Sequence, residues 1–314
     1  MTATEKRLIS IVTPCYNEED NIKEIYLQVK DVIGKVEKYD YEHIFIDNAS
    51  QDNTVRILKE IAGRDKNVKI IVNSRNFGHI RSPYYGLLQA KGEAVISIVS
   101  DLQDPPVMIA DFLKKWEEGY KIVVGVKKKS NESKFMFAVR KVFYNLLGIM
   151  SEIDQIKNFT GFGLYDKKII EVLRTIEDPY PYFRGLICDI GFEIYKIEYV
   201  QPVRAKGKTK NNFYTLYDMA MLGITNHSKV PLRMATMIGF VTALFSFLIA
   251  IVYFVYKIIF WQGFSLGLAP LVIGLFFFSA VQLFFIGIIG EYIGAMHTQI
   301  LKRPLVIEKE RVNF

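Results

Sequence analysis

Three polar loops in this chain of 314 residues carry side chains that could do chemistry. The first, Pro14-Cys15-Tyr16-Asn17-Glu18-Glu19, breaks the run Ser10-Ile11-Val12-Thr13. The second, Asp47-Asn48-Ala49-Ser50-Gln51-Asp52, ends the run His43-Ile44-Phe45-Ile46. One carries Asn and Glu, the other Asp and Asn, a set that suits a base and a ribose. The third is Ser100-Asp101-Leu102-Gln103-Asp104-Pro105-Pro106, after the apolar run Ala94–Val99. A carboxylate at a strand's end, with a second oxygen donor two residues on, can reach one hard divalent cation, Mg2+ or Mn2+. A helix cap or turn is the alternative role for Asp101.

The elements that must position these loops follow from hydrophobic periodicity. Short β-branched runs predict strands at Leu8–Thr13, His43–Asp47, Lys69–Asn73, Ala94–Val99 and Lys121–Val126. Helical patterns predict Asn21–Val36, Asp52–Ile61, Ile80–Ala90 and Met108–Glu118, with Asp20 and Asp52 as N-caps. Such alternation implies an α/β fold, a mostly parallel sheet with helices on both faces. Ligands of open α/β sheets bind outside the carboxyl ends of the strands, where all three loops fall.

Composition adds a boundary. Half the residues are hydrophobic although 23% are charged, and the apolar excess is concentrated after Arg233. The net charge of +7 fits an anionic partner such as nucleotide phosphate, lipid phosphate or a membrane surface. No nucleic-acid-binding motif accompanies the charge, which argues against a nucleic-acid partner. Cys15 and Cys188 have no metal or disulfide spacing and read as reduced, cytosol-facing thiols. Met1–Leu8 lacks the apolar core of a signal peptide.

Phe213, Leu216, Tyr217, Ala220, Met221 and Ile224 form one apolar helical stripe. That helix packs on the preceding domain or lies in a membrane interface; Lys229 and Arg233 beside it favour the interface. Met234–Tyr256 holds no charge over 23 residues, about 34 Å of helix against a hydrocarbon core of about 30 Å. A second span is predicted at Leu268–Gly290, after the Trp261-Gln262-Gly263 turn. Lys229, Arg233, Lys302 and Arg303 flank the outer ends and only Lys257 lies between, which places both termini in the cytoplasm. Gly287, Gly290 and Gly294 offer a surface for self-association. Three regions result: 1–211, the α/β domain; 212–230, the juxtamembrane helix; and 231–314, two spans and a cytoplasmic tail.

Taken in order, these motifs resemble the family 2 glycosyltransferases of GT-A fold. The closer likeness is to the branch of dolichol-phosphate mannose synthase and bacterial polyprenyl-phosphate glycosyltransferases. In that branch the third loop reads D-x-D-x-Q-D-P-P. This chain matches Asp101, Gln103 and Asp104-Pro105-Pro106, with Val99 at the first Asp. Ser74-Arg75-Asn76-Phe77-Gly78 is similar to the branch's R-N-x-G turn, and Lys127-Lys128-Lys129-Ser130-Asn131-Glu132-Ser133 to its basic loop, with Arg140 on the next helix. Arg204-Ala205-Lys206-Gly207-Lys208-Thr209-Lys210 resembles R-x-x-G-x-[ST]-K, which folds over the diphosphate. Tyr182-Phe183-Arg184-Gly185 and Gly290-Glu291-Tyr292 also echo the branch. Gly161 and Gly163 stand where many relatives have an acidic residue and an Arg, so that acid is not carried over. The glycines either admit the sugar to the backbone or bend the strand.

The resemblance implies inverting transfer of one sugar from a nucleotide-diphospho-sugar, UDP-linked by preference, to a polyprenyl phosphate at the cytoplasmic membrane face, in cell-envelope glycosylation. Pro14, Tyr16, Asn17, Glu18, Asp47, Asn48, Arg75 and Asp101 would bind the nucleotide. Asp101 and Gln103 would hold the cation, and Asp101, Arg204 and Lys210 would act on the departing diphosphate. Lys127, Ser133, Arg140 and Arg184 would take the lipid phosphate. A processive polysaccharide synthase lacks support, since neither Q-x-x-R-W nor further spans occur. An inactive scaffold of the same fold is the other alternative, motivated by Val99 and Gly161.

Overall fold

Buried β-branched runs build the sheet. The computed structural model describes residues 6–128, 156–202, 221–225, 228–260 and 268–314. Strands β1 (Arg7–Cys15), β2 (Tyr39–Asp47), β3 (Val68–Asn73) and β4 (Ala94–Ser97) alternate with helices α1 (Ile22–Gly34), α2 (Thr54–Arg64), α3 (Gly78–Leu88) and α4 (Met108–Glu117). Then follow β5 (Ile122–Lys127), β6 (Phe159–Asp166), α5 (Lys167–Thr175), α6 (Phe183–Asp189) and β7 (Ile194–Tyr199). Helices α7 (Val230–Ile259) and α8 (Leu268–Ile300) and strand β8 (Glu308–Val312) complete the chain.

The eight strands form one sheet in the order β7-β5-β6-β4-β1-β2-β3-β8. β1 pairs in parallel with β2 and β4, β2 with β3, and β5 with β7. β6 runs antiparallel to β4 and β5, and β8 antiparallel to β3. Alternate residues feed two cores, as a doubly covered sheet requires. Ile9, Ile11, Phe45 and Ile70 pack with α1, α2 and α4, whereas Val12, Ile44, Ile46 and Ile71 pack with α3, α5 and α6.

Several boundaries differ from the sequence expectation. β2 begins at Tyr39 rather than His43, because Tyr39–Glu42 extend the ladder along Arg7–Ser10. β4 stops at Ser97, two residues before Val99, where the backbone turns into the third loop. Asp20 does not cap α1: the cap position is Asn21, whose side chain donates to Glu18 Oε2 at 2.7 Å. Asp52 precedes the α2 cap position, Asn53, yet accepts the Thr54 N–H at 3.0 Å.

Helices α7 and α8 are long and apolar enough to cross a membrane: the most apolar 18-residue windows within Val230–Ile259 and Ile273–Ile300 have mean hydropathies of 2.5 and 2.2. Tyr292 Oη on α8 donates to the Ser228 carbonyl ahead of α7 at 2.6 Å. Nothing lies within 4 Å of where a Cβ would stand at Gly287, Gly290 or Gly294. Most of the juxtamembrane helix lies outside the described residues; 221–225 are helical. The tail is built into the sheet. β8 extends the edge beyond β3, the Ser74 N–H donates to Ile307 O at 2.9 Å, and Asn313 Nδ2 donates to Ala62 O and Val68 O at 2.9 Å each.

Candidate active site

The first two loops are stitched together before any ligand arrives. Asn17, in the left-handed region at φ 52°, donates its N–H to Ser50 Oγ and accepts the Gln51 N–H, both at 2.8 Å. The Glu18 N–H donates to Thr54 Oγ1 at 2.9 Å and the Glu19 N–H to Asp52 at 3.2 Å. Pro14, Tyr16, Asn17 and Glu18 are left partly exposed at the end of β1. Asp47 is fully buried, and burial pushes its carboxyl above the usual range against the Ser50 N–H and hydroxyl, which both donate to it.

Asn48 commits its whole amide inside the protein. Its Nδ2 donates to Asn76 Oδ1 and Gly78 O at 2.9 and 3.0 Å, and its Oδ1 accepts from Asn73 Nδ2 and the Phe77 N–H at 3.2 and 2.9 Å. That uses both donors and both acceptor sites of the group. Asn48 therefore holds the Arg75 turn to the end of β2. Arg75 is exposed, donates to Asn76 O at 3.1 Å and lies 4.0 Å over the Phe77 ring.

The third loop is clamped from a distant strand. The Gln103 N–H donates to Asp101 Oδ1 at 3.1 Å across Leu102, at φ 62°. Asp104 is buried, and Tyr199 at the end of β7 donates to its Oδ1 at 2.8 Å. Burial pushes the Asp104 carboxyl up to about 6, against the pull of the Tyr199 hydroxyl, Lys127 and the Val99 N–H. Asp101 and Gln103 are left partly exposed. Among the described residues no three His, Cys, Asp or Glu groups cluster to hold a metal. One carboxylate and one amide oxygen on a single turn fit a cation that completes its shell with diphosphate and water oxygens.

Antiparallel β6 brings more groups to this end. Ser97 pairs with Gly163 and Val126 with Phe159, so Lys127, Gly161 and the third loop share one end of the sheet, at the carboxyl ends of β4 and β5. Arg184, in the first turn of α6, reaches Phe159 O at 3.5 Å and lies 5.2 Å over the Tyr182 ring. Ser133, Arg140, Arg204 and Lys210 lie outside the described residues. The two glycines have separate causes. Gly161 sits at φ +100°, with Phe183 3.5 Å from where a Cβ would stand, and a Cβ on Gly163 would lie 2.5 Å from Val123 O. The Asp104–Tyr199 bond and the four contacts of Asn48 had no sequence signal, because each partner is distant in the chain.

The model of glycosyl transferase family 2 matches residues 10–173, more than half of the chain. The chain belongs to glycosyl transferase family 2. This family 2 glycosyltransferase is 36% identical over 299 residues to YkcC of Bacillus subtilis (strain 168), an uncharacterized glycosyltransferase, covering 95% of this chain and 92% of that one. It is 31% identical over 303 residues to the SfII prophage-derived bactoprenol glucosyl transferase of Shigella flexneri, covering 96% and 97%. Among solved structures it is similar to a Mycobacterium tuberculosis glucosyl-3-phosphoglycerate synthase, with TM-score 0.49, 18% identity and coverage of 70% and 76%. Nothing about that enzyme's ligands transfers at this level of likeness.

The Asp104 geometry makes a testable statement about pH. A carboxyl at about 6 in the folded chain, against about 3.9 unfolded, binds more protons folded than unfolded between those values. Its contribution therefore falls as pH rises from about 4 to about 6 and stays low above that. Asp104→Asn should remove this slope, worth roughly 2–3 kcal/mol at neutral pH. Denaturation midpoints of both proteins in detergent, from pH 4.5 to 7.5, check it; parallel curves would rule the effect out.

Proposed function

We propose that this glycosyltransferase moves one sugar from a UDP-sugar to a polyprenyl phosphate, with inversion, at the cytoplasmic face of a membrane that α7 and α8 span. The observation that carries the reading is the tie between the ligand end of the sheet and the membrane hairpin. Glu308 of β8 pairs with Asn73 at the carboxyl end of β3, and only residues 301–307 separate β8 from α8. Seven residues reach at most about 25 Å. Lys302, just past α8, also pairs with Glu177 at 3.7 Å. A lipid phosphate held at the headgroups is thus within reach of the loops. The likeness to a bactoprenol glucosyl transferase over 96% of the chain supports the same acceptor class.

The acceptor phosphate is anionic at neutral pH, so its oxygen can attack the anomeric carbon without a general base, which suits Gly161 at the acidic position. The attack forms the carbon–oxygen bond as the bond to the diphosphate breaks on the opposite face, and the electron pair leaves with UDP. A divalent cation would neutralise the charge gathering there. Asp101 and Gln103 would hold it, while Arg204 and Lys210 meet the phosphates directly. Pro14, Tyr16, Asn17, Glu18, Asp47 and Arg75 would seat base and ribose, Asn48 would fix the Arg75 turn, and Lys127, Ser133, Arg140 and Arg184 would take the lipid phosphate.

The test is incubation of membranes containing the protein with a panel of sugar nucleotides and undecaprenyl phosphate. A single-sugar lipid product supports the proposal. A polymer would point to a processive synthase, and no turnover with any donor to an inactive scaffold. The cytoplasmic placement of both termini follows from the Lys and Arg flanking the outer helix ends. In a Gln262→Cys variant, an impermeant thiol reagent applied outside intact cells should label residue 262. Labelling only after permeabilisation would invert the topology.

A further inference from the structure

We propose that Arg81 is a binding residue for the acceptor's phosphate; this rests on the acceptor reading above. Arg81 lies outside the R-N-x-G turn and in the first turn of α3. The next residue, Ser82, is buried and accepts from Asn73 Nδ2 at 2.9 Å, which pins this turn at the carboxyl end of β3. Arg81 is therefore at the ligand end of the sheet.

Its surroundings are those of a group awaiting a partner. The Arg81 Nε is buried and has no hydrogen-bond partner among the described residues. The guanidinium lies 5.3 Å over the Tyr180 ring, a contact that holds the charge without satisfying an N–H. A desolvated, unsatisfied donor on a cation costs stability, and an incoming phosphate oxygen would remove that cost. A guanidinium's planar fork matches phosphate oxygens two at a time.

The neighbours choose the lipid phosphate over the donor. Tyr180 belongs to the segment that also carries Tyr182 and Arg184. Tyr182 lies 3.5 Å from where a Cβ would stand on Gly223, in the juxtamembrane helical stretch, and Glu177, ahead of this segment, pairs with Lys302 past α8. Phe183 packs on Tyr84, one turn after Arg81, at 6.2 Å, and its ring edges Gly161. Arg184 thus lies by Phe159 and Gly161 on β6, and Arg81, over the Tyr180 ring, faces the segment tied to the juxtamembrane stretch and α8. The base-and-ribose loops lie at the ends of β1 and β2.

The experiment compares wild type, Arg81→Gln and Arg81→Lys in detergent. It reads UDP affinity by calorimetry, KM for undecaprenyl phosphate at saturating UDP-sugar, and Tm. Arg81→Gln should raise that KM at least tenfold and leave UDP affinity within twofold, with Arg81→Lys between the two. Tm should change little, since no hydrogen bond is lost and only the contact over the Tyr180 ring goes. An unchanged KM overturns the proposal, whatever the Tm. A loss of UDP affinity also overturns it, by moving Arg81 to the donor. If wild type makes no lipid-linked sugar while it transfers to another acceptor, the functional reading itself fails, an outcome separate from an insensitive variant of an active enzyme.

Discussion

Asp101→Asn is expected to lower sugar transfer by about a hundredfold to a thousandfold, the usual cost of removing one charge-stabilising group from a transition state. Asparagine keeps the shape of the side chain and an oxygen for the Gln103 N–H, now 3.1 Å from Oδ1, so the turn should persist. What disappears is the negative charge. No other carboxylate in the loop can replace it. Val99 occupies the position of the first Asp, and Asp104 is 2% exposed and bound to Tyr199. Excess Mn2+ or Mg2+ should restore part of the loss, because a weakened cation site fills again at higher concentration. The assay is lipid-linked sugar formation at limiting and excess metal, with membrane extraction as a control for insertion. Near-normal turnover at limiting metal would remove Asp101 from the cation site.

Gly163→Ala is expected to be the most disruptive single substitution at the other edge of the site, and to act on the fold. Its Cβ would stand 2.5 Å from Val123 O and 3.0 Å from Val124 Cα, both backbone atoms of β5 that no rotamer change can move. Either β5 and β6 separate, with loss of ladder bonds, or the core beneath them shifts, at a cost of about 3 kcal/mol. Gly161→Ala meets only the Phe183 ring at 3.5 Å, and its penalty comes from φ +100°, roughly 1–2 kcal/mol. Unfolding midpoints of the two variants in detergent should therefore differ, Gly163→Ala being the lower. A Gly163→Ala protein as stable as wild type would refute the close-packing explanation. That result would reopen sugar access as the reason for glycine there.

Asn48 shows how much of the site is made by the fold. Its neighbourhood, a polar loop after a buried strand, is legible in the sequence, yet its four partners come from β3 and the turn beyond it. Arg81 is a sharper case: as one Arg in a helical pattern it has no signal, and only its unsatisfied Nε and the Tyr180 ring single it out.

The first four β/α units and the two apolar helices were determined by the sequence itself, because each is written locally. A β-branched run of four to six residues that must be buried on both faces admits little besides a strand, and an uncharged stretch of 23 residues admits little besides a membrane-length helix. The third loop was equally legible, since Asp101, Gln103 and Asp104-Pro105-Pro106 lie together in the chain. Only the tertiary structure decided what joins distant segments. β8 reads Glu308-Lys309-Glu310-Arg311-Val312, with no apolar run, and becomes a strand because the exposed edge of β3 offers unpaired backbone groups that a returning tail can satisfy. That pairing, with Lys302 on Glu177, ties the ligand end of the sheet to the two long apolar helices, a relation between chain segments more than two hundred residues apart in the case of β3 and β8. Local periodicity carries no information about which edge a polar tail will find.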